Sequence, residues 1–262
     1  MSVNMKEVKD IIEKSGNTFH CKVLKFFKSQ GWTVLISPYY NDNVSGKPRE
    51  IDLFAEKAFK IPDSFGQSMG NVNVKLFIEC KYISQKTVFW FHSKDREKAE
   101  NFVVQTSPCR KDNTHTKEHH YLYGNDHVAK LFADEKAKAA DNEIFYKALN
   151  QSLNALIYYR DKRSIIPVPE NRRVNTRYTL NYPIIVCNSF DNLYRVDIET
   201  DAEPSNINEN FQLEINYAYI GQSGVDSNEY FLIDIVKFDL INNLLDKITK
   251  DKELAGFFLS PS

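Results

Sequence analysis

The chain has 262 residues, a formal net charge of −1, 42% hydrophobic residues, 14 tyrosines and 18 phenylalanines. That composition sets aside disorder and suffices for one large α/β domain, while the near-neutral balance gives no global sign of nucleic-acid binding, and no run of about 20 apolar residues is present to span a membrane. Cys21, Cys80, Cys109 and Cys187 are widely spaced without a C-x-x-C pair, and Met1–Glu7 has no apolar signal core, which argues against a zinc knuckle or disulfide scaffold and for a cytoplasmic protein.

In chain order, residues 5–14 read as a short helix stopped at Ser15-Gly16. Thr18 is placed to cap a second helix, Thr18–Gln30, with Phe19, Val23, Phe26 and Phe27 at helical spacing and Gly31 at its end. Trp32–Ser37 is predicted as the first strand and 37–47 as a polar loop with Pro38 and Gly46. Arg49–Ala55 is a strand carrying Asp52, and 57–71, with Pro62, Gly66 and Gly70, is a loop.

Val72–Ile83 alternates. Val72, Val74, Leu76, Ile78 and Cys80 face one way; Asn73, Lys75, Phe77, Glu79 and Lys81 face the other. Apolar residues on both faces mark a central, covered strand, and charges at the end of such a strand need a reason. Glu79 can hold a divalent metal through oxygen, and Asp52 on a neighbouring strand supplies a second carboxylate. Lys81 can orient or deprotonate a water, or offset developing negative charge. The plain alternative is a surface ion pair on an edge strand, worth little.

Residues 84–140 read as an insertion on this core. Thr87–Phe91 is a strand, Ser93–Val104 a helix capped by Ser93, and 105–124 irregular. His127–Phe132 begins a further helical stretch. His115, His119 and His120 lack a recognisable zinc spacing and are read as part of a flexible loop. Asn142–Arg160 is an amphipathic helix with Gln151 on its inward stripe, where an amide needs hydrogen-bond partners. Tyr182–Cys187, Phe211–Ile220 and Tyr230–Phe238 are strands, the last two joined by a turn containing Gly221, and Leu240–Leu254 is a closing helix. Residues 157–177 carry a local balance of +4 (Arg160, Lys162, Arg163, Arg172, Arg173 and Arg177 against Asp161 and Glu170), while 197–214 holds no Lys or Arg. The basic stretch is either a phosphate contact or a solvated loop. Glu214 and Asp234 lie in late strands with no specific warrant for catalysis.

The order helix, strand, strand with Asp52, strand with Glu79-Cys80-Lys81, helix resembles the PD-(D/E)XK nuclease superfamily, the fold of many restriction endonucleases and archaeal Holliday-junction resolvases. The E-x-K triplet alone occurs widely by chance; the context I-D-L-F-A, a turn-rich gap, then L-F-I-E-C-K-Y carries the likeness, over Thr18–Arg160. The resemblance implies a restriction endonuclease-like α/β core, a central mixed β-sheet flanked by helices, in a single domain over 1–262. It implies a Mg²⁺-dependent endodeoxyribonuclease, with Mn²⁺ able to substitute, in restriction or defence. Asp52, Glu79 and the Cys80 backbone carbonyl would bind the metal, and Lys81 would orient the attacking water or stabilise the pentavalent phosphate.

His20 stands where many members carry a Glu on the first core helix, so it would ligate the metal or hydrogen-bond its water. Gln151 matches a Gln that supports the lysine in some branches. DNA is the expected partner, with RNA not distinguished, and a double-strand cut would need two sites, hence a homodimer. The alternative is a non-catalytic nucleic-acid-binding or regulatory module that kept the fold. His20 in place of Glu and the neutral charge favour it; the intact Asp52, Glu79 and Lys81 disfavour it.

Overall fold

The computed structural model describes residues 5–14, 16–43, 45–62, 66, 68–124, 126–135, 144–162, 164–167, 175–200, 202–221 and 224–260. Helices α1 (Met5–Lys14) and α2 (Asn17–Ser29) meet at Gly16, whose φ of 72° disfavours any side chain. Thr18 lies inside α2 and does not cap it; its hydroxyl meets the Ile12 carbonyl at 3.4 Å. Phe19, Val23 and Phe27 are buried, as their spacing predicts.

Strand β1 (Thr33–Ile36) is followed by a small hairpin, β2 (Tyr39–Asn41) with β3 (Pro48–Glu50), within and just after the predicted polar loop. Strands β4 (Leu53–Pro62) and β5 (Ser68–Lys81) pair antiparallel from Leu53↔Ile78 to Lys60↔Asn71. The predicted 57–71 loop is therefore mostly strand. Pro62 and Gly66 mark only its tip; Lys57, Lys60 and Asn71 diluted the apolar signal of Phe59, Ile61 and Val72. Gly70 has a different reason to be glycine: a Cβ there would meet the Asn175 carbonyl at 2.6 Å.

Residues within 84–140 extend the same sheet. They supply β6 (Thr87–Ser93), α3 (Arg96–Thr106) and β7 (His127–Asp134). Asp95, not Ser93, caps α3, accepting the Lys98 N–H at 3.0 Å. The helical expectation for His127–Phe132 is corrected to a strand. This segment slots between two other strands, and such pairing overrides a weak local preference.

Helix α4 (Ile144–Tyr159) follows the predicted span, whose first two residues, 142 and 143, lie outside the described ones. Then come β8 (Thr176–Cys187), β9 (Leu193–Asp197), β10 (Ser205–Asn206), β11 (Phe211–Ile220), β12 (Asp226–Lys237) and α5 (Ile241–Leu259). β9 and β10 were not legible in the sequence.

The ten-stranded mixed sheet runs β1-β4-β5-β8-β12-β11-β7-β6-β9-β10, with β5 and β8 parallel. Helix α4 covers the face bearing Phe77, through a Phe54–Tyr159 stack on the Phe54–Phe77 stack. Helix α5 covers the other face, where Asp251 meets Tyr182. Among the described residues, no helix is long and apolar enough to cross a membrane.

Candidate active site at the end of strand β5

Strand β5 lies between β4 and β8 with α4 on one face and α5 on the other, which is why apolar residues occupy both its faces. At its end, alternation places Glu79 and Lys81 on the Phe77 face. Glu79 is 0% exposed and the Lys81 side chain 19%, and Lys81 Nζ donates to Glu79 Oε2 at 2.7 Å. A pair this deep is not a surface ion pair. Burying both charges is costly, which makes the pair a candidate functional site.

Asp52 lies not within a strand but at the bend between β3 and β4. The strand predicted over Arg49–Ala55 is broken there, and the break turns Asp52 toward β5. Asp52 Oδ2 accepts the Cys80 N–H at 2.7 Å, and Glu79 Oε1 accepts the Asp52 N–H at 3.2 Å. Each carboxylate is thus fixed by the backbone of the other's segment.

Two helices clamp the bend. His20 Nε2 of α2 lies 2.9 Å from the Asp52 carbonyl. A carbonyl only accepts, so Nε2 carries the proton and is not a metal ligand in this arrangement. Gln151 Nε2 of α4 donates to the Glu50 carbonyl at 3.0 Å. Both residues reach the site, but each holds main chain: His20 binds no carboxylate here, and Gln151 steadies the turn before Asp52 where the resemblance implied support of Lys81. The amide partner that the apolar stripe required is therefore the Glu50 carbonyl.

Burial pushes the Glu79 carboxyl up to about 8, with Lys81 opposing the rise and Asp52 adding to it. Burial also disfavours the Lys81 ammonium, but the Glu79 and Asp52 carboxylates outweigh it and hold its pKa above the usual value. Burial raises the Cys80 and Cys187 thiols as well, which leaves both as protonated packing groups. Asp52 and Glu79 offer hard oxygen donors from two chain segments, the donor type that suits Mg²⁺ or Mn²⁺. The fit has a physical basis: a fully buried carboxyl with a raised pKa is one that a divalent cation would ionise.

A cleft of about 860 Å³, lined by Tyr40, Arg49, Gln151, Asn154 and Tyr217 among others but not by Asp52, Glu79 or Lys81, is linked to this centre through Gln151. Sequence reasoning missed Tyr40 and Asn154, because only the β2–β3 hairpin brings them together.

A second group lies under α5. His119, His120 and Asp251 place ligand atoms within 4.8 Å of one another, a spacing that can hold a metal ion. His120 already commits both ring nitrogens, Nδ1 to Asp251 and Nε2 to Asp234 at 3.2 Å. Burial works against its charge, but the two aspartates raise its pKa to about 9; burial lowers His119 to about 4. His119 and His120 do lie in a loop, as expected, but their side chains are buried, while His115 is exposed. Their anchor, Asp251, is 131 residues from His120, beyond any spacing argument. Glu214 is likewise structural, accepting from Lys130 at 2.6 Å, His92 at 3.0 Å and Tyr230 at 3.0 Å.

Of the basic stretch, Arg160 is spent on Glu229 and Tyr219, and Arg177 on the Met69 carbonyl; Arg163, Glu170, Arg172 and Arg173 lie outside the described residues. No protein-family model, curated protein or solved structure matches the chain.

Proposed function

We propose that this chain is a divalent-metal-dependent phosphodiesterase of the PD-(D/E)XK kind, acting as an endonuclease on DNA. One observation carries the reading: two carboxylates from separate segments and a lysine converge in a buried, hydrogen-bonded trio, with Asp52 Oδ2 on the Cys80 N–H, Glu79 Oε1 on the Asp52 N–H and Lys81 Nζ on Glu79 Oε2. The run α2, β1, β4, β5, α4 and β8, with β5 parallel to β8, supports a restriction endonuclease-like core.

Asp52 and Glu79, with the Cys80 carbonyl, would hold the ion, which when bound lowers the pKa of its water and screens the scissile phosphate. Lys81, whose Nζ donates to Glu79 Oε2, would offset charge that develops on the phosphoryl oxygens. Its proton stays on Nζ, because the two carboxylates hold the ammonium. His20 and Gln151 keep the Asp52 bend in place, so the carboxylate does not need to reorganise as charge builds.

The test is incubation with plasmid, linear and single-stranded DNA and with RNA, in Mg²⁺, Mn²⁺ or EDTA. Lys81→Ala should lower cleavage by about 10²–10⁴-fold with little change in affinity. Cleavage in EDTA, or undiminished cleavage by Lys81→Ala, would remove the assignment. Metal-independent binding without cleavage would favour the non-catalytic module.

A further inference from the structure

The cleft beside the Asp52–Glu79–Lys81 centre has a chemistry of its own. Its walls combine the rings of Tyr40, Tyr146 and Tyr217 with the amides of Asn150, Gln151 and Asn154. These groups are preorganised. Tyr217 donates its hydroxyl proton to Asn150 Oδ1 at 3.0 Å and accepts from Asn154 Nδ2 at 2.9 Å. Asn43 Nδ2 donates to the Asn154 carbonyl at 3.1 Å, tying this wall to the loop that follows β2.

Tyr40 breaks the pattern. It is 2% exposed, lines the cleft, and its hydroxyl has no hydrogen-bond partner among the described residues. A buried hydroxyl left unpaired costs about 1–3 kcal/mol, so a water or a ligand group that reaches it from the cleft would be favoured. Burial, then Glu79 and Asp42, raise its pKa, so it remains a neutral donor between the carboxylate centre and the cleft.

Tyr40 and Tyr217 are 2% and 8% exposed, so Tyr146, 38% exposed, is the ring that offers a face, and that face beside polar amides suits a planar heterocycle with polar edges. Arg49 and Lys147 add positive charge to the lining and Asp42 one negative charge; Arg49 is 55% exposed and 3.8 Å from Asp42. That charge suits flanking phosphates. Gln151 joins the two places, since it lines the cleft and binds the Glu50 carbonyl just before Asp52. A base stacked within a duplex cannot offer its face to such a ring; an unpaired one can.

We propose that this cleft binds an unpaired nucleobase of the strand being cut, so that the substrate class is single-stranded or locally unpaired nucleic acid. The inference rests on the nuclease reading of the adjacent centre.

The test offers labelled DNA of one sequence as a single strand, as a duplex with one bulged nucleotide and as a fully paired duplex. Anisotropy titrations in Ca²⁺ then give three dissociation constants. The unpaired forms should bind about tenfold or more tightly than the paired duplex. Tyr40→Phe, which keeps the ring, should reduce that preference about fivefold. Tyr146→Ala, on an exposed turn of α4, should reduce it about tenfold without disturbing the core. Equal constants for the three forms would overturn the inference, as would full preference retained by both variants. Metal-dependent cutting of the paired duplex as fast as the bulged one would overturn the cleft while leaving the nuclease reading intact. Variant-sensitive binding of unpaired strands, with no metal-dependent cleavage of any nucleic acid, would support the cleft and overturn the nuclease reading.

Discussion

Replacing Glu79 by Gln should make the protein more stable in alkaline solution while abolishing the cleavage proposed for it. The carboxyl rises from the usual 4.5 to about 8 because it is fully buried. A group whose native pKa lies above its unfolded one keeps its proton longer in the native state. Stability therefore falls as pH rises from about 4.5 to about 8, and the full cost is present above that. Between pH 5 and pH 8.5 the loss works out to roughly 4 kcal/mol, at about 1.4 kcal/mol per unit.

Glu79→Gln keeps the shape and cannot ionise, so it should escape this loss. Denaturant unfolding of both proteins at several pH values measures the difference directly. Groups elsewhere that titrate in the same range, such as His120, cancel in the comparison. Metal supplies a second arm: Mg²⁺ at about 100 times its Kd should add about 2.7 kcal/mol to the wild type and little to the variant. A stability difference that stays flat from pH 5 to pH 8.5 would refute the burial cost assigned to Glu79.

Calorimetry should find divalent-ion binding in the wild type that Asp52→Ala abolishes, with Ca²⁺ bound but supporting little turnover; binding that survives Asp52→Ala would move the metal elsewhere, and the His119–His120–Asp251 group is the first place to look. His20→Ala should slow cleavage about ten- to a hundredfold by loosening the Asp52 bend, with no change in the shape of the pH–rate profile, because Nε2 holds a carbonyl and not the metal; loss of an acid limb in the variant would restore His20 to a ligand role. Asp251→Asn should cost about 3–5 kcal/mol at pH 6 by leaving the His120 imidazolium short of a partner. His120 has a raised pKa, so its contribution is full below 6.5 and is lost as pH rises through about 9. The deficit should therefore narrow above pH 9, and a deficit independent of pH would sink this account.

Much of the central core was legible because local pattern and burial coincide there. The β5 alternation with apolar residues on both faces predicts a strand covered on both sides, and Phe77, Ile78 and Glu79 are all 0% exposed. Phe19, Val23 and Phe27 of the α2 stripe are buried, and α4 buries Ala148 and Ala155 of its stripe but also Leu153, Asn154 and Ile157 beyond it. Failures gathered where a strand's signal is mixed with polar residues. The outer part of the β4–β5 hairpin carries Lys57, Lys60, Asn71 and Asn73, and Asn73 Nδ2 donates to Glu56 across the hairpin at 3.0 Å. β7 takes its form from β6 and β11, which its own residues do not announce.

The candidate site divides in the same way. Covalent order and side-chain alternation alone place Glu79 and Lys81 on one face two residues apart, and the I-D-L-F-A context points to Asp52 as their companion. How the three meet depends on the bend at Ile51-Asp52, and that bend is held by a histidine 32 residues away and a glutamine from the helix across the sheet. The same holds for Tyr40 in its cleft and for His120 between Asp234 and Asp251. Periodicity reports the face on which a side chain lies, because it follows from the geometry of one segment; the partner across the fold is set by how segments pack, and no spacing within a segment encodes it.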